Sequence, residues 1–391
     1  MEQPSEVNVL EEAKRLISIE SITGNEGEVM GYLEKRFKAL GCRVKRYEAA
    51  PGRPNIYAEA GGTPGETPAL LFHGHLDTVP AYGMADPFTP KVIDGNLYGR
   101  GSVDQKSGVA AVIAAFEEIL KGDLPDRSFA FVGVIDEESE HRGSMALKDM
   151  GIKADFGVIT EPSDLKIGVG CKGTAPILLE VKGLAAHGCR PWLGKNAVIA
   201  GMFVADKIMK MELPSIEMEG LGEIKASINL GKIEGGEAYN IVPDLCSLWF
   251  DRRLIPGETQ NDIICDIYEL IGNLPGTEEF TFNCRVARPD WNWPPIEARG
   301  LHPAMTRLEA PEVSVMKSVH RDILGRKAEL FYTDGYHEMD FLVNDLGINA
   351  VQYGPGKGAL CHTDEEHIEI GQLTECARVY QGLIREFCYI K

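Results

Sequence analysis

No run of apolar residues in this sequence approaches the roughly 18 needed for a membrane-crossing helix, which excludes a helical membrane protein. The opening, Met1-Glu2-Gln3-Pro4-Ser5-Glu6, lacks the basic segment and apolar stretch of a secretion signal. A cytoplasmic protein is expected. Basic residues are scarce: 40 Lys and Arg stand against 59 Asp and Glu, a formal net charge of -19. Such a balance repels phosphate backbones and anionic bilayers, so neither nucleic acid nor membrane is expected as a partner. No Cys-x-x-Cys pair occurs among nine cysteines scattered from Cys42 to Cys388. That spacing and the odd count argue against a disulfide framework and a thiolate zinc site. The thiols read as reduced, and Cys361, directly before His362, reads as a packed small residue. Internal repeats and low-complexity tracts are also missing.

What is present is length for more than one core: 391 residues suit two domains. Apolar positions at helical spacing predict a first helix through Val9, Leu10, Ala13, Leu16 and Ile17, and a second over 26–40 stopped by Gly41. Short apolar runs then alternate with turns and helices: Ala69-Leu70-Leu71-Phe72, a helix over 107–120, the run 129–135, and Phe156-Gly157-Val158-Ile159. This rhythm predicts an α/β domain with a mostly parallel sheet. After Gly173 the texture changes to strands over 176–181, 226–233 and 246–251 and helices over 197–211 and 260–271. An inserted α+β domain is expected at 174–296, ending near Trp291-Asn292-Trp293-Pro294-Pro295. The first domain comprises 1–173 and resumes over 297–391, with a helix at 311–324 and a strand at 350–353.

Polar residues cluster where the strands stop. His75 and Asp77 follow the first run two residues apart. In extended backbone both point to one side, so a carboxylate can receive one imidazole N–H while the other nitrogen binds a metal. Asp104 lies in Gly101-Ser102-Val103-Asp104-Gln105-Lys106-Ser107-Gly108, where glycines allow close backbone approach before a helix. Asp136-Glu137-Glu138 ends the third run; so many acids beside a buried strand are costly unless cations neutralise them. Adjacent residues there point opposite ways, so one Glu can bind metal while its neighbour acts as base. Glu161 closes the fourth run and His362 follows the last.

Each of these residues alone also fits a cap, a turn or a solvated surface. Together, five candidates (His75, Asp104, Glu138, Glu161 and His362) follow separate strands of an open α/β sheet, where such folds gather their sites. Two histidines and three carboxylates, one of them bridging, suit two borderline cations about 3.5–4 Å apart that activate water against a carbonyl.

The segments Gly74-His75-Leu76-Asp77-Thr78-Val79-Pro80, Gly101 to Gly108, Asp136-Glu137-Glu138 and Thr160-Glu161-Pro162 resemble successive motifs of the acetylornithine deacetylase and succinyl-diaminopimelate desuccinylase family of zinc amidohydrolases. Aminoacylases and carboxypeptidase G are relatives. Ala186-His187-Gly188-Cys189-Arg190-Pro191, Asn240-Ile241-Val242-Pro243, Asp251-Arg252-Arg253 and Gly354-Pro355-Gly356 leading to His362 extend the resemblance over nearly the whole chain. It implies two Zn2+ per subunit, with Co2+ or Mn2+ as alternatives. Asp104 would bridge, His75 and Glu161 would hold one ion, and Glu138 and His362 the other. Glu137 becomes the general base and Asp77 the orienter of His75.

The resemblance further implies that the inserted domain is a lid and dimer interface, whose His187 reaches the partner's site to stabilise an oxyanion. Arg253, Asn240 and Gly356 would bind substrate, Arg253 through a carboxylate. Cleavage of a small N-acylated amino acid is expected. A metallo-carboxypeptidase or dipeptidase is the alternative, and a non-catalytic small-acid-binding homologue the remoter one. Glu161, where di- and tripeptidases of the family carry Asp, favours a deacylase or carboxypeptidase. In Thr333-Asp334-Gly335-Tyr336-His337-Glu338-Met339-Asp340 extra residues leave Asp334 and Asp340 both open as the counterpart of a family aspartate. His73 is expected to pack or to support the site. Gly168-Val169-Gly170-Cys171-Lys172-Gly173 fits a dinucleotide fingerprint, but the extended residues after it argue against that use.

Overall fold

The computed structural model describes residues 6–288 and 293–390. The opening Met1–Ser5 and, within the expected boundary stretch, Trp291 and Asn292 lie outside the described residues. The chain forms two compact units. The first contains residues up to Cys171, Ala304–Thr333 and the chain from His337 onward; the second contains Lys172–Pro303 with Asp334–Tyr336.

The first unit is a mixed α/β fold around one nine-stranded sheet, as the alternating runs predict. Its centre is parallel: Leu70–His75 lies between Phe129–Val134 and Phe156–Ile159, and Ala350–Gln352 continues beyond the latter. One flank, Arg53–Ala60 and Arg43–Ala50, is antiparallel; on the other, Ile167–Cys171 pairs antiparallel with Ala350–Gln352 and Ala304–Met305 and parallel with Leu330–Thr333. The strands Leu70–His75 and Phe129–Val134 are wholly buried, which is why they read as continuous apolar runs.

Period-two alternation sorts the Leu70–His75 side chains. Phe72 meets Phe116 of the helix Lys106–Leu120 and Tyr380 of the helix Ile370–Cys388 on one face. Leu71 joins a core with Val132, Ile159, Leu342 and Ala350 on the other. Each fully buried large side chain there contributes roughly 1.5–3 kcal/mol. Leu71, His73 and His75 share a face, so one strand carries packing at its start and chemistry at its end.

Gly108 explains part of its motif. A Cβ there would lie 2.3 Å from the carbonyl oxygen of Thr160, so only glycine lets the helix start this close to the end of Phe156–Ile159.

The second unit is a four-stranded antiparallel sheet, in the order Ser227–Gly235, Leu245–Leu254, Gly173–Lys182 and Thr281–Val286. The helices Ala197–Ile208 and Gln260–Gly272 contribute Val204, Ile208, Ile263 and Ile267 to its core. The dinucleotide-like glycine run falls in the strands Ile167–Cys171 and Gly173–Lys182 and opens no helix. No helix of the described residues is long and apolar enough to cross a membrane.

Candidate metal centre

His75 ends its strand fully buried. Its Nδ1 is 3.0 Å from the carbonyl oxygen of Asp77, and its Nε2 is 3.0 Å from Asp104 Oδ1 and 3.4 Å from Glu161 Oε1. With Nδ1–H donating to that carbonyl, the lone pair of Nε2 faces two carboxylates, a set of electron donors that needs a positive charge among them. The other oxygen of Asp104 lies 3.2 Å from His362 Nε2, which is 3.0 Å from Glu138 Oε1. Asp104 therefore stands between two triplets, His75, Asp104, Glu161 and Asp104, Glu138, His362, each with its donor atoms within 4.8 Å of one another. His362 is the most open of the five, 46% exposed, on a backbone of φ 62.

Charge in this cluster follows from burial. Desolvation, reinforced by Asp104, pushes Glu161 up to about 7, and desolvation with the same neighbour raises Glu138. Asp104 is held below the usual carboxylate range despite its burial, by hydrogen bonds to His362 and His75. Its partners push His362 up to about 10. Three acids and two histidines in one partly buried cluster suit divalent cations, which would stand where protons otherwise must.

Glu137 is beside both triplets and in neither. Its Oε2 lies 3.9 Å from His75 Nε2. Burial first, then the carboxylates of Glu138 and Glu161, raise its proton affinity well above that of an ordinary glutamate, although His75 opposes them. That is the character of a group that accepts a proton and returns it.

Sequence reasoning missed several supports. Gln105 donates from Nε2 to Glu161 at 2.5 Å and accepts from the Thr160 hydroxyl. Arg53 binds Glu26 at 2.5 Å and Asp136 at 2.6 Å, so the first acid of the Asp136-Glu137-Glu138 run is paired with a guanidinium. The carboxylate of Asp77 is 3.6 Å from His75 Nδ1, while its carbonyl makes the shorter contact. Its two oxygens instead receive the backbone N–H groups of Glu137 and Glu138 and the hydroxyl of Thr23. Only the folded geometry reveals such roles, since the partners lie far apart in sequence.

His73 is buried with Nε2 2.9 Å from Ser144 Oγ, a supporting position. Asp340 is buried in the first unit and accepts from Asn344, whereas Asp334 is 92% exposed in the second and pairs with Lys172 at 2.6 Å. Cys361 is partly buried, and desolvation keeps its thiol protonated. Gly356 is buried with φ 91; its N–H donates to Gln372 Oε1, and a Cβ there would press on Val103 at 3.1 Å.

In the second unit, His187 is exposed on the short strand Ala186–His187, opposite Ile241, and its Nδ1 accepts the N–H of Cys189 at 3.1 Å. Exposed Asn240 accepts the N–H of Gly188 through its carbonyl. Arg253 is half-buried on Leu245–Leu254 and bonded to Asp251 at 3.1 Å; its neighbour Arg252 is the buried one.

Comparison with known proteins places the whole chain. N-formyl-4-amino-5-aminomethyl-2-methylpyrimidine deformylase of Bacillus subtilis is 28% identical over 417 residues, covering 96% of this chain and 93% of its own. Succinyl-diaminopimelate desuccinylase of Corynebacterium glutamicum is 26% identical over 385 residues, covering 95% of each. The crystal structure of a tripeptidase from Staphylococcus aureus subsp. aureus Mu50 shares the fold with a TM-score of 0.81 at 24% identity, covering 99% of both chains. Residues 71–386, which carry all five candidate ligands, match peptidase family M20/M25/M40, and the chain belongs to that family of metallopeptidases and amidohydrolases as an enzyme acting on amide bonds.

Proposed function

We propose that the protein is a two-metal deacylase that hydrolyses the amide bond of a small N-acylated amino acid. The observation that carries this reading is Asp104 set between two His–carboxylate triplets with Glu137 alongside and in neither. Zinc suits the mixed nitrogen and oxygen donors, and cobalt or manganese would be accepted by the same set. His75 and Glu161 would hold one ion, Glu138 and His362 the other, and Asp104 both. Bound there, the ions would supply Lewis acidity toward the carbonyl and lower the pKa of water. Glu137 then takes the proton of the attacking water and passes it to the leaving nitrogen.

His187, Asn240, Arg253 and Gly356 complete the proposal as substrate and transition-state contacts, with His187 acting on the partner's site in a homodimer. The exposed apolar residues of the second unit support an interface there: Ile199, Met202 and Phe203 lie at helical spacing on one face of Ala197–Ile208. Nine free cysteines fit a reducing, cytoplasmic location.

Two of the relatives are named for removing a formyl or a succinyl group, which favours deacylation. A metallo-carboxypeptidase or dipeptidase is the second reading, because Arg253 would grip the terminal carboxylate of a peptide equally well. A protein that only bound small acids would have no use for Glu137.

The test is a panel of N-acetyl, N-succinyl and N-formyl amino acids and dipeptides, followed by amine release from zinc-loaded protein with and without chelator. Chelator-sensitive release from one acyl class is expected. Release from dipeptides alone would replace the deacylase reading with the peptidase one.

A further inference from the structure

We infer that Glu366 is a positioning residue for the bridging carboxylate of Asp104, through the backbone of the turn that presents it. This rests on the two-metal reading above. The carboxyl group of Glu366 is fully buried and lies inside the turn 100–104. One oxygen accepts the backbone N–H of Val103 at 2.8 Å and of Asp104 at 3.1 Å; the other accepts the N–H of Gly101 at 3.2 Å and the Arg100 guanidinium at 2.6 Å. Arg100 is itself 1% exposed, so both charges are buried and each has the other as its partner.

The physical need is plain. Residues 101–104 precede the helix Lys106–Leu120, and three of their N–H groups point inward with no strand or helix carbonyl to receive them. Backbone donors left unpaired inside a protein are costly, and an anion held in such a concavity satisfies several at once. The chain then couples this anion to the second ligand segment. Glu366 lies four residues after His362, and its carbonyl accepts the N–H of Gly99. Immediately beyond it, His367 pairs with Tyr98 and stacks on its ring at 4.6 Å. One short segment therefore supplies His362 and, through Glu366, shapes the turn that supplies Asp104. The 3.2 Å separation of His362 Nε2 from Asp104 Oδ2 follows from that double attachment.

A purely structural role would lower the stability of metal-free and metal-loaded protein alike. A positioning role lowers the response to metal, because losing a partner behind the ligands costs about 10- to 100-fold in metal affinity. In Glu366→Gln one oxygen becomes an NH2 that meets N–H donors it cannot accept.

The experiment strips the full chain of metal, titrates it with zinc against a competing chelator, and records the thermal midpoint before and after loading. The parent is expected to take up two ions; if it takes up none, the two-metal reading fails first. Given two ions in the parent, Glu366→Gln is expected to bind at least one of them 10- to 100-fold more weakly and to gain fewer degrees on loading. Parental affinity with an undiminished thermal gain would overturn the inference about Glu366 alone. Should Glu366→Gln not fold, Glu366→Asp keeps the charge while drawing it back from Val103 and Asp104, and the same comparison applies. Failure of both variants to fold would assign Glu366 to the fold and overturn the positioning role.

Discussion

One carboxylate oxygen of Asp77 accepts the backbone N–H of Glu137 at 3.0 Å, so the residue two places after His75 holds the proposed base by its main chain. The second oxygen does the same for Glu138 at 3.1 Å while accepting the Thr23 hydroxyl at 2.8 Å. Burial opposes the charge on Asp77, yet its hydrogen bonds and His75 hold it below the usual carboxylate range. Asp77→Asn replaces one acceptor with an NH2 that must face an N–H. Turnover is expected to fall about 10- to 100-fold, with weaker metal retention, since such partners support ligands at about that level. Zinc content after dialysis and kcat measured together check this; unchanged values of both would reduce Asp77 to a packing residue.

Glu137→Gln keeps the size of the side chain and removes its basicity. Because Glu137 belongs to neither donor triplet, zinc binding is expected to survive. Loss of general base catalysis typically costs about 10²–10⁴-fold in rate. Steady-state kinetics on zinc-saturated variant and parent, with metal content measured on the same samples, decide it. A variant within a fewfold of the parental rate would remove Glu137 from the mechanism.

The five candidate ligands could be picked out in sequence because His75, Glu138 and Glu161 close or directly follow buried apolar runs, which stand out, while Asp104 and His362 lie in the loops beyond such runs. The sheet flanks were not legible. Arg43–Ala50 alternates charged and half-buried residues because it is an edge strand, so no apolar run marks it. The closing helix Ile370–Cys388 carried a readable signal in Leu373, Cys376, Ala377, Tyr380 and Leu383 at helical spacing, all buried. Arg53, Gln105 and Glu366 were invisible for another reason. They act on carboxylates or backbone N–H groups brought together by the fold from distant parts of the chain.

Metal removal should be felt in stability as well as rate. The first-unit cluster gathers Asp104, Glu137, Glu138 and Glu161 around two histidines, and without cations its carboxylates repel one another. Any ligand bound only by the folded state stabilises it by RT ln(1 + [L]/Kd), about 4 kcal/mol at a thousandfold excess over Kd. Chelation is therefore expected to lower the melting temperature by several degrees and abolish amide cleavage, and added zinc to restore both. Scanning calorimetry with and without chelator measures it. Identical melting curves would argue against a resident metal.

The second unit makes a separate prediction. On the helix Ala197–Ile208, Ala197, Gly201, Val204, Ala205 and Ile208 face its own core, leaving Ile199, Met202 and Phe203 exposed. Beside that helix, Ser227–Gly235 is an edge strand of the sheet with a free row of backbone groups. If a second copy covers this face, Phe203→Glu should convert a dimer to monomer in sedimentation and lower kcat, because His187 would lose the partner's site. His187→Ala should lower kcat while leaving the dimer and its metal intact. A fully active monomer would defeat the partner-histidine model.

His337 is buried, its Nδ1 faces the N–H of Met339 at 3.4 Å, and desolvation lowers its pKa to about 4 from an ordinary 6.5. Between those values the unfolded chain binds a proton at this residue that the folded chain does not. Stability must then fall as pH falls from about 6.5 to about 4, by roughly 1–3 kcal/mol for one such histidine. His337→Gln removes this contribution and should flatten the profile across that window, whatever its effect at neutral pH. Denaturant unfolding of metal-free parent and variant at pH 7, 6, 5 and 4 isolates the difference, because the carboxylates titrate in both. Parallel profiles would show that the folded chain binds this proton as readily as the unfolded one and would remove His337 from the acid response.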